Sequence, residues 1–189
     1  MKILLLRHAV AEDRAVFEQK GEIDRLRPLT DAGRQKMTKA VKGLKKVLPR
    51  TTTIVSSPYL RARQTADLLA ESLSIPVVES DVLCPSCGVD RVMRWLESQQ
   101  ATRKGSRDKK GLIVLVGHEP QLSHLLGYLL TGSRRSIIKL KKGSATLVSC
   151  KLGQVRSGKM LWSLTAKQLR QVAKRRPPRT EPALQELAA

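Results

Sequence analysis

Lys2-Ile3-Leu4-Leu5-Leu6-Arg7-His8 is the stretch on which the reading of this chain turns. An apolar run without polar alternation is buried on both faces, as strands of a parallel sheet are, and its abrupt end in charge marks the tip of such a strand. Arg7 and His8 therefore stand where the strand opens into a loop. Leu112-Ile113-Val114-Leu115-Val116 repeats the pattern and ends in Gly117-His118-Glu119-Pro120. Two of the chain's three histidines thus close its two clearest strands. Open parallel sheets bind their ligands at the carboxyl ends of the strands.

The segments between these strands supply the helices. Thr30 or Asp31 is placed to cap a helix that runs to Val47, with Met37, Val41, Leu44 and Leu48 at helical spacing and Pro49 as its stop. Residues 51–55 are a β-branched run, hence a strand, and Ser56-Ser57-Pro58 turns it into a helix over 59–73. A short strand over 75–78, a loop over 80–88 and a helix over 89–98 follow. A helix over 121–130, strands near 144–151 and 159–164, and a short helix through Val172 complete the pattern. Residues 9–28 mix charges without period and read as a long surface excursion, and 102–110 read as a mobile basic loop. Strands alternating with helices predict an α/β fold, a three-layer α/β/α sandwich with a mainly parallel central sheet. The chain's 189 residues suit one domain over 1–173, with a basic, Pro-rich tail over 174–189 expected to be flexible.

Composition bounds the partners. Lys and Arg number 36 against 16 Asp and Glu, a net charge of +20 that attracts anions: a phosphorylated substrate, a nucleic acid or an acidic protein face. Aromatic residues make up only 3%, so basic stretches such as 103–110, 134–142 and 170–179 lack the rings that stack bases, which disfavours nucleic acid. The apolar run at the N-terminus is shorter than the roughly 7–15 residues of a signal h-region, and no run reaches the roughly 18 of a membrane span. A cytoplasmic protein without membrane contact is expected. Cys84, Cys87 and Cys150 are too few for a disulfide framework, and the lone Cys84-Pro85-Ser86-Cys87 reads as a turn rather than a metal or redox site.

Phosphoryl transfer explains the residues at the strand tips. Its transition state spreads negative charge over equatorial oxygens, which planar guanidinium groups such as Arg7 and Arg61 can bind in pairs. A neutral imidazole can attack phosphorus and split one difficult displacement into two easier ones, which assigns His8 as nucleophile. A protonated His118 and the helix starts after Pro58 and Pro120 would add positive charge, so neither metal nor other cofactor is expected. No Asp/Glu/His spacing suggests a two-metal site, and no C-x5-R loop suggests cysteine chemistry. The competing class is a non-catalytic basic module that binds phosphate or nucleic acid.

These blocks carry a resemblance. Leu6-Arg7-His8-Ala9 is similar to the Arg-His-Gly motif of the histidine phosphatase superfamily, with Ala9 in place of the usual glycine. Ser57-Pro58-Tyr59-Leu60-Arg61-Ala62-Arg63-Gln64-Thr65 resembles its second block, in which the first arginine, here Arg61 rather than Arg63, binds phosphate. Gly117-His118-Glu119-Pro120 resembles the third. Arg27-Pro28-Leu29-Thr30 and residues 164–170 further resemble the SixA-like phosphohistidine phosphatases. That branch implies Arg27 as an added phosphate contact and a phosphorylated protein as partner, such as a histidine-phosphotransfer domain in signal transduction. Small phosphomonoesters or polyphosphate are the alternative substrates. Glu79 and Asp81 are the nearest candidates for the acidic group that larger members carry after the third strand, and His124 reads as a packing or surface residue.

Overall fold

The computed structural model describes residues 1–103, 111–154 and 156–175. In chain order the elements are β1 (Lys2–Arg7), α1 (Arg14–Gln19), α2 (Asp31–Val47), β2 (Thr51–Ser56), α3 (Leu60–Leu73) and β3 (Val77–Glu79). Next come α4 (Val89–Arg103), β4 (Leu112–Gly117), α5 (Gln121–Thr131), β5 (Ala145–Ser149), β6 (Lys159–Leu164) and α6 (Ala166–Lys174). The strands form a six-stranded sheet in the order β3-β2-β4-β1-β5-β6. β3, β2, β4 and β1 are mutually parallel, while β5 runs antiparallel to β1 and β6 antiparallel to β5.

The apolar runs at the centre of the sheet are buried on both faces, as unbroken Leu, Ile and Val predict. Leu4, Leu6, Val114 and Val116 point to one side and pack with Met37 and Leu44 of α2, Leu69 of α3 and Leu169 of α6. Ile3, Leu5, Ile113 and Leu115 point to the other, against Leu96 of α4 and Leu122 and Leu125 of α5. The period-2 side-chain alternation of a strand thus feeds two separate cores and yields the expected three layers.

Backbone bonds beyond the ladders tie the tips of the three central strands together. The His8 amide donates to the Gly117 carbonyl at 3.0 Å and the Ser57 amide to the Val116 carbonyl at 3.0 Å. From the other side, the Gly143 amide reaches the carbonyls of both Arg7 (3.1 Å) and His8 (3.0 Å). Residues 7–8, 57 and 117–118 are thereby fixed relative to one another before any side chain is considered.

Three expectations need correction. The excursion over 9–28 is not irregular throughout. Asp13 caps α1 by accepting from the amides of Ala15 and Val16, Phe17 is buried, and Asp24–Leu26 form a 3₁₀ turn. Helices this short show no apolar period, which is why the segment reads as irregular in the sequence. The segment is held by the Ala11↔Leu29 bridge and by the Thr30 amide on the Val10 carbonyl at 3.1 Å. Gly33 permits this contact, since a Cβ there would lie 2.0 Å from the Val10 oxygen. Second, α4 extends to Arg103 rather than Ser98, because Gln99, Gln100, Ala101 and Thr102 contain no breaker although they lack apolar residues. Thr102 and Arg103, expected in a loop, are helical, and 104–110 lie outside the described residues. Third, β3 is displaced to 77–79. The tail expected from 174 onward begins inside α6 and otherwise lies outside the described residues.

Candidate active site

The strand tips open into a cleft of about 550 Å³ whose lining includes Arg7, His8, Arg27, Arg61 and His118. All five residues singled out from the sequence therefore meet in one place, though they come from β1, the excursion, α3 and the end of β4.

His8 is 6% exposed. Its Nδ1 lies 2.7 Å from the Ala9 carbonyl, an atom that can only accept, so Nδ1 carries the proton and Nε2 keeps its lone pair. Burial lowers the His8 pKa to about 3, with the bond to Ala9 opposing and the cations Arg61, Arg7 and Arg27 adding to the fall. The ring is neutral at neutral pH. Its neighbour Ala9 is fixed in turn, its amide donating to Thr65 Oγ1 at 3.0 Å while that hydroxyl donates to the Arg61 carbonyl at 2.7 Å. Thr65 thus couples the β1 tip to the first turn of α3, which carries Arg61.

The His118 ring centroid is 5.1 Å from that of His8. Its Nε2 lies 2.9 Å from Ser57 Oγ, and its buried Nδ1 has no partner among the described residues. Burial, then His8, Arg61 and Arg7, lower its pKa to about 2. With only protein groups around it His118 is neutral at pH 7, contrary to the protonated form read from the sequence. The physical reason is first that burial disfavours the charged ring, and then that the same cationic field that attracts an anion repels a proton. A phosphoryl group brings charge of the opposite sign beside this ring.

Each guanidinium is pinned rather than free. Arg7 Nη1 donates to the Leu140 carbonyl at 2.6 Å. Arg61 Nη1 and Nη2 donate to the carbonyl and Oδ2 of Asp24 at 2.9 and 3.1 Å. Arg27 Nε donates to Asp24 Oδ1 at 2.8 Å and its Nη1 to the Glu12 carbonyl at 2.7 Å. Burial lowers the pKa of Arg7, with Glu119 opposing, and that of Arg61, with Asp24 opposing. Burial works to raise the Asp24 pKa, but Arg27 and Arg61 outweigh it and the net shift is downward. The buried Nε atoms of Arg7 and Arg61 have no partner among the described residues. Guanidinium groups held in fixed positions with donors to spare suit a tetrahedral oxyanion.

Asp24, Ser57, Tyr59 and Thr65 escaped the sequence reading. Tyr59 packs edge-on to His118 with centroids 5.1 Å apart, and Arg61 lies 4.9 Å over its ring. It is one of only two tyrosines in the chain, and its place after Ser57-Pro58 was the available signal. Ser57 and Thr65 sit within the quoted second block, but Asp24 lies in the stretch without periodicity and nothing local marks it. Glu119 also lines the cleft, its carboxylate accepting from the Leu140 amide at 3.0 Å and from Ser123 Oγ at 2.5 Å.

The general-acid candidates are elsewhere. Glu79 pairs with Arg63 at 2.7 Å, and Asp81 accepts a long contact from Cys84 Sγ at 3.6 Å. Neither lines the cleft, whereas Pro85 and Ser86, between the free thiols of Cys84 and Cys87, do. His124 is half-buried on α5 outside the cleft. Among the described residues no group of three or more His, Cys, Asp and Glu is arranged to hold a metal ion. Nor is any described helix long and apolar enough to cross a membrane.

Residues 3–84 match the model of the histidine phosphatase superfamily (branch 1), a span that holds Arg7, His8 and Arg61. The chain belongs to the histidine phosphatase superfamily. This member of it is 31% identical over 157 residues to an uncharacterized protein of Picosynechococcus sp., covering 82% of this chain and 88% of that one. The protein histidine phosphatase SixA, solved with tungstate, shares the fold at a TM-score of 0.73 and 22% identity, covering 89% of this chain and 99% of that one. A mycobacterial glucosyl-3-phosphoglycerate phosphatase does so at 0.65 and 17%, covering 85% and 96%.

Proposed function

We propose that this chain is a SixA-like phosphohistidine phosphatase that removes the phosphoryl group from a protein histidine by way of a covalent phospho-His8 intermediate, without metal or other cofactor. The observation that carries the reading is the His8 ring: neutral, with its proton held on Nδ1 by Ala9, and set among three guanidinium groups.

In the first step the Nε2 lone pair of His8 attacks phosphorus and the P–N bond to the substrate imidazole breaks. The substrate ring, protonated beforehand on its other nitrogen, departs as neutral imidazole. In the second, water attacks the phosphoryl group on His8, releasing inorganic phosphate and returning the lone pair to Nε2. Arg7 and Arg61, with Arg27 beside them, meet the charge that develops on the equatorial oxygens, and their fixed positions remove the reorganisation that water would need. His118, neutral beforehand, gains a proton-favouring neighbour when the phosphoryl group arrives. That arrangement strengthens binding most where charge is greatest.

The choice of leaving group rests on what surrounds the cleft. A general acid contributes about 10²–10⁴-fold when the leaving group is poor. A phosphorylated imidazole has a second nitrogen that solvent protonates near neutral pH, as the ordinary imidazole pKa of about 6.5 indicates, and the ring then leaves as neutral imidazole without one. Glu79 and Asp81 lie outside the cleft, and the Glu119 carboxylate is engaged as an acceptor. The likeness in fold to a glucosyl-3-phosphoglycerate phosphatase, together with Glu12 and Asp13 in the lining, favours small phosphomonoesters as the second reading.

The deciding experiment is a substrate panel of a phosphohistidine protein, free phosphohistidine, polyphosphate and sugar phosphates, with trapping of the intermediate. The expected result is preference for phosphohistidine and an acid-labile, base-stable phospho-enzyme that His8→Ala cannot form. A base-labile intermediate, or full turnover by His8→Ala, would remove His8 from its assigned role.

A further inference from the structure

Outside the cleft, a cluster of cations lies between α2 and α6. A groove of about 530 Å³ there is walled by Lys39 and Lys42 of α2 and by Lys167, Arg170 and Lys174 of α6. No acidic side chain lines it, and among the described residues none of these five cations forms an ion pair. The cause is in the helix packing. Gly43 brings the two backbones into contact, since a Cβ there would lie 1.8 Å from the Leu169 carbonyl oxygen. Lys46 then closes the end of α6, its Nζ donating to the carbonyls of Ala173 and Arg175 at 2.8 Å each. Close approach of the axes forces the flanking lysines, which repel one another, onto the same strip of surface.

The groove also leads towards the cleft. A smaller cavity of about 150 Å³ beside Ala9 and Gly143 shares Arg170 with the groove and Lys142 with the cleft, and Lys36 lies between them. Cations thus follow one another from the catalytic opening to the far end of α6.

We infer that this groove docks an acidic helical segment of the protein that carries the phosphoryl group, delivering its phosphohistidine to the cleft. This rests on the reading of the cleft as a phosphatase site. Three observations select such a partner. On both walls the cations recur about one turn apart, at 39 and 42 and at 167, 170 and 174, the repeat with which a third helix presents carboxylates. The groove uses lysine, a mobile point charge suited to diffuse attraction, where the cleft uses the fixed forks of arginine that suit phosphate. No aromatic residue lines it for base stacking.

The test compares the full chain with a variant carrying Lys39→Glu, Lys42→Glu, Lys167→Glu and Lys174→Glu, and with the corresponding four Gln substitutions in case the Glu variant folds poorly. The substrates are a Glu-rich helical peptide bearing one phosphohistidine, and free phosphohistidine. At low salt the wild type is expected to process the peptide with a kcat/KM about 10-fold or more above that for free phosphohistidine, through KM. The Glu variant loses that advantage, the Gln variant loses part of it, and both keep free phosphohistidine turnover within about twofold of wild type. Unchanged peptide kinetics in both variants overturn the proposal. If neither substrate is turned over, the phosphatase reading fails separately. Fluorescence anisotropy of the unphosphorylated peptide then reads the groove alone, and equal binding by wild type and variants overturns docking. Tighter groove-dependent binding of oligothymidine or polyphosphate than of the peptide assigns the surface to another polyanion and overturns it too.

Discussion

Two basic regions of this molecule hold their charge in opposite ways. In the cleft, the guanidinium groups of Arg7, Arg27 and Arg61 are buried or half-buried and anchored by a carbonyl or by Asp24, so their charge is fixed in direction and largely shielded from water. Along α2 and α6 the ammonium groups of Lys39, Lys42, Lys167 and Lys174 stand in solvent. Fixed charge in a dry site stabilises a particular geometry and is screened little by salt. Mobile charge at the surface acts at a distance and fades with ionic strength. A net charge of +20 therefore does not describe one property.

The contrast can be broken at several points. His8→Ala is expected to lower turnover by about 10⁴-fold or more, measured under single-turnover conditions. Arg61→Lys keeps the charge but discards the fork that holds Asp24, and should lose about 10²–10³-fold in kcat. Lys42→Arg in the groove should leave kcat within about twofold, and comparable losses from both swaps would erase the distinction between the regions.

Acid titration of stability tests the dryness of the cleft. An unfolded imidazole binds its proton near pH 6.5, but the folded values are about 3 for His8 and about 2 for His118. Between these the unfolded chain holds more protons, so stability is complete above about pH 6.5 and falls on acidification by about 1.4 kcal/mol per pH unit for each ring. Asp24 acts in the same direction further down: its lowered pKa contributes stability above the unfolded carboxylate value that is lost as pH falls through the folded one. Urea unfolding across this range should show the slope, and His118→Asn should flatten it between pH 6.5 and 3. The smallest effect concerns the groove's scaffold. Gly43→Ala should destabilise the fold by about 1–3 kcal/mol through its collision with the α6 backbone, with free phosphohistidine turnover retained where the protein remains folded.

Much of this was legible in the chain because it depended on unbroken signals. The runs at 3–6 and 112–116 announced buried strands, and the residues that ended them were conspicuous because no packing rule asks for imidazole there. Arg61 was separable from Arg63 through the motif, and the structure sends Arg63 outward to Asp67 and Glu79. Asp24 was not legible, because its importance lies in its bonds to Arg61, far along the chain, made from a 3₁₀ turn too short to have a pattern. The protonation of His118 was misread for a related reason: a sequence shows which charges exist but not which of them will be crowded together away from water.

The carboxylate of Asp24 has one more implication. Because it already occupies donors of both Arg27 and Arg61, any oxyanion arriving beside them must share those guanidinium groups with a resident acid. Grip on free phosphate is moderated from within the fold, and a catalyst that ends each cycle with phosphate in its mouth is helped by letting go.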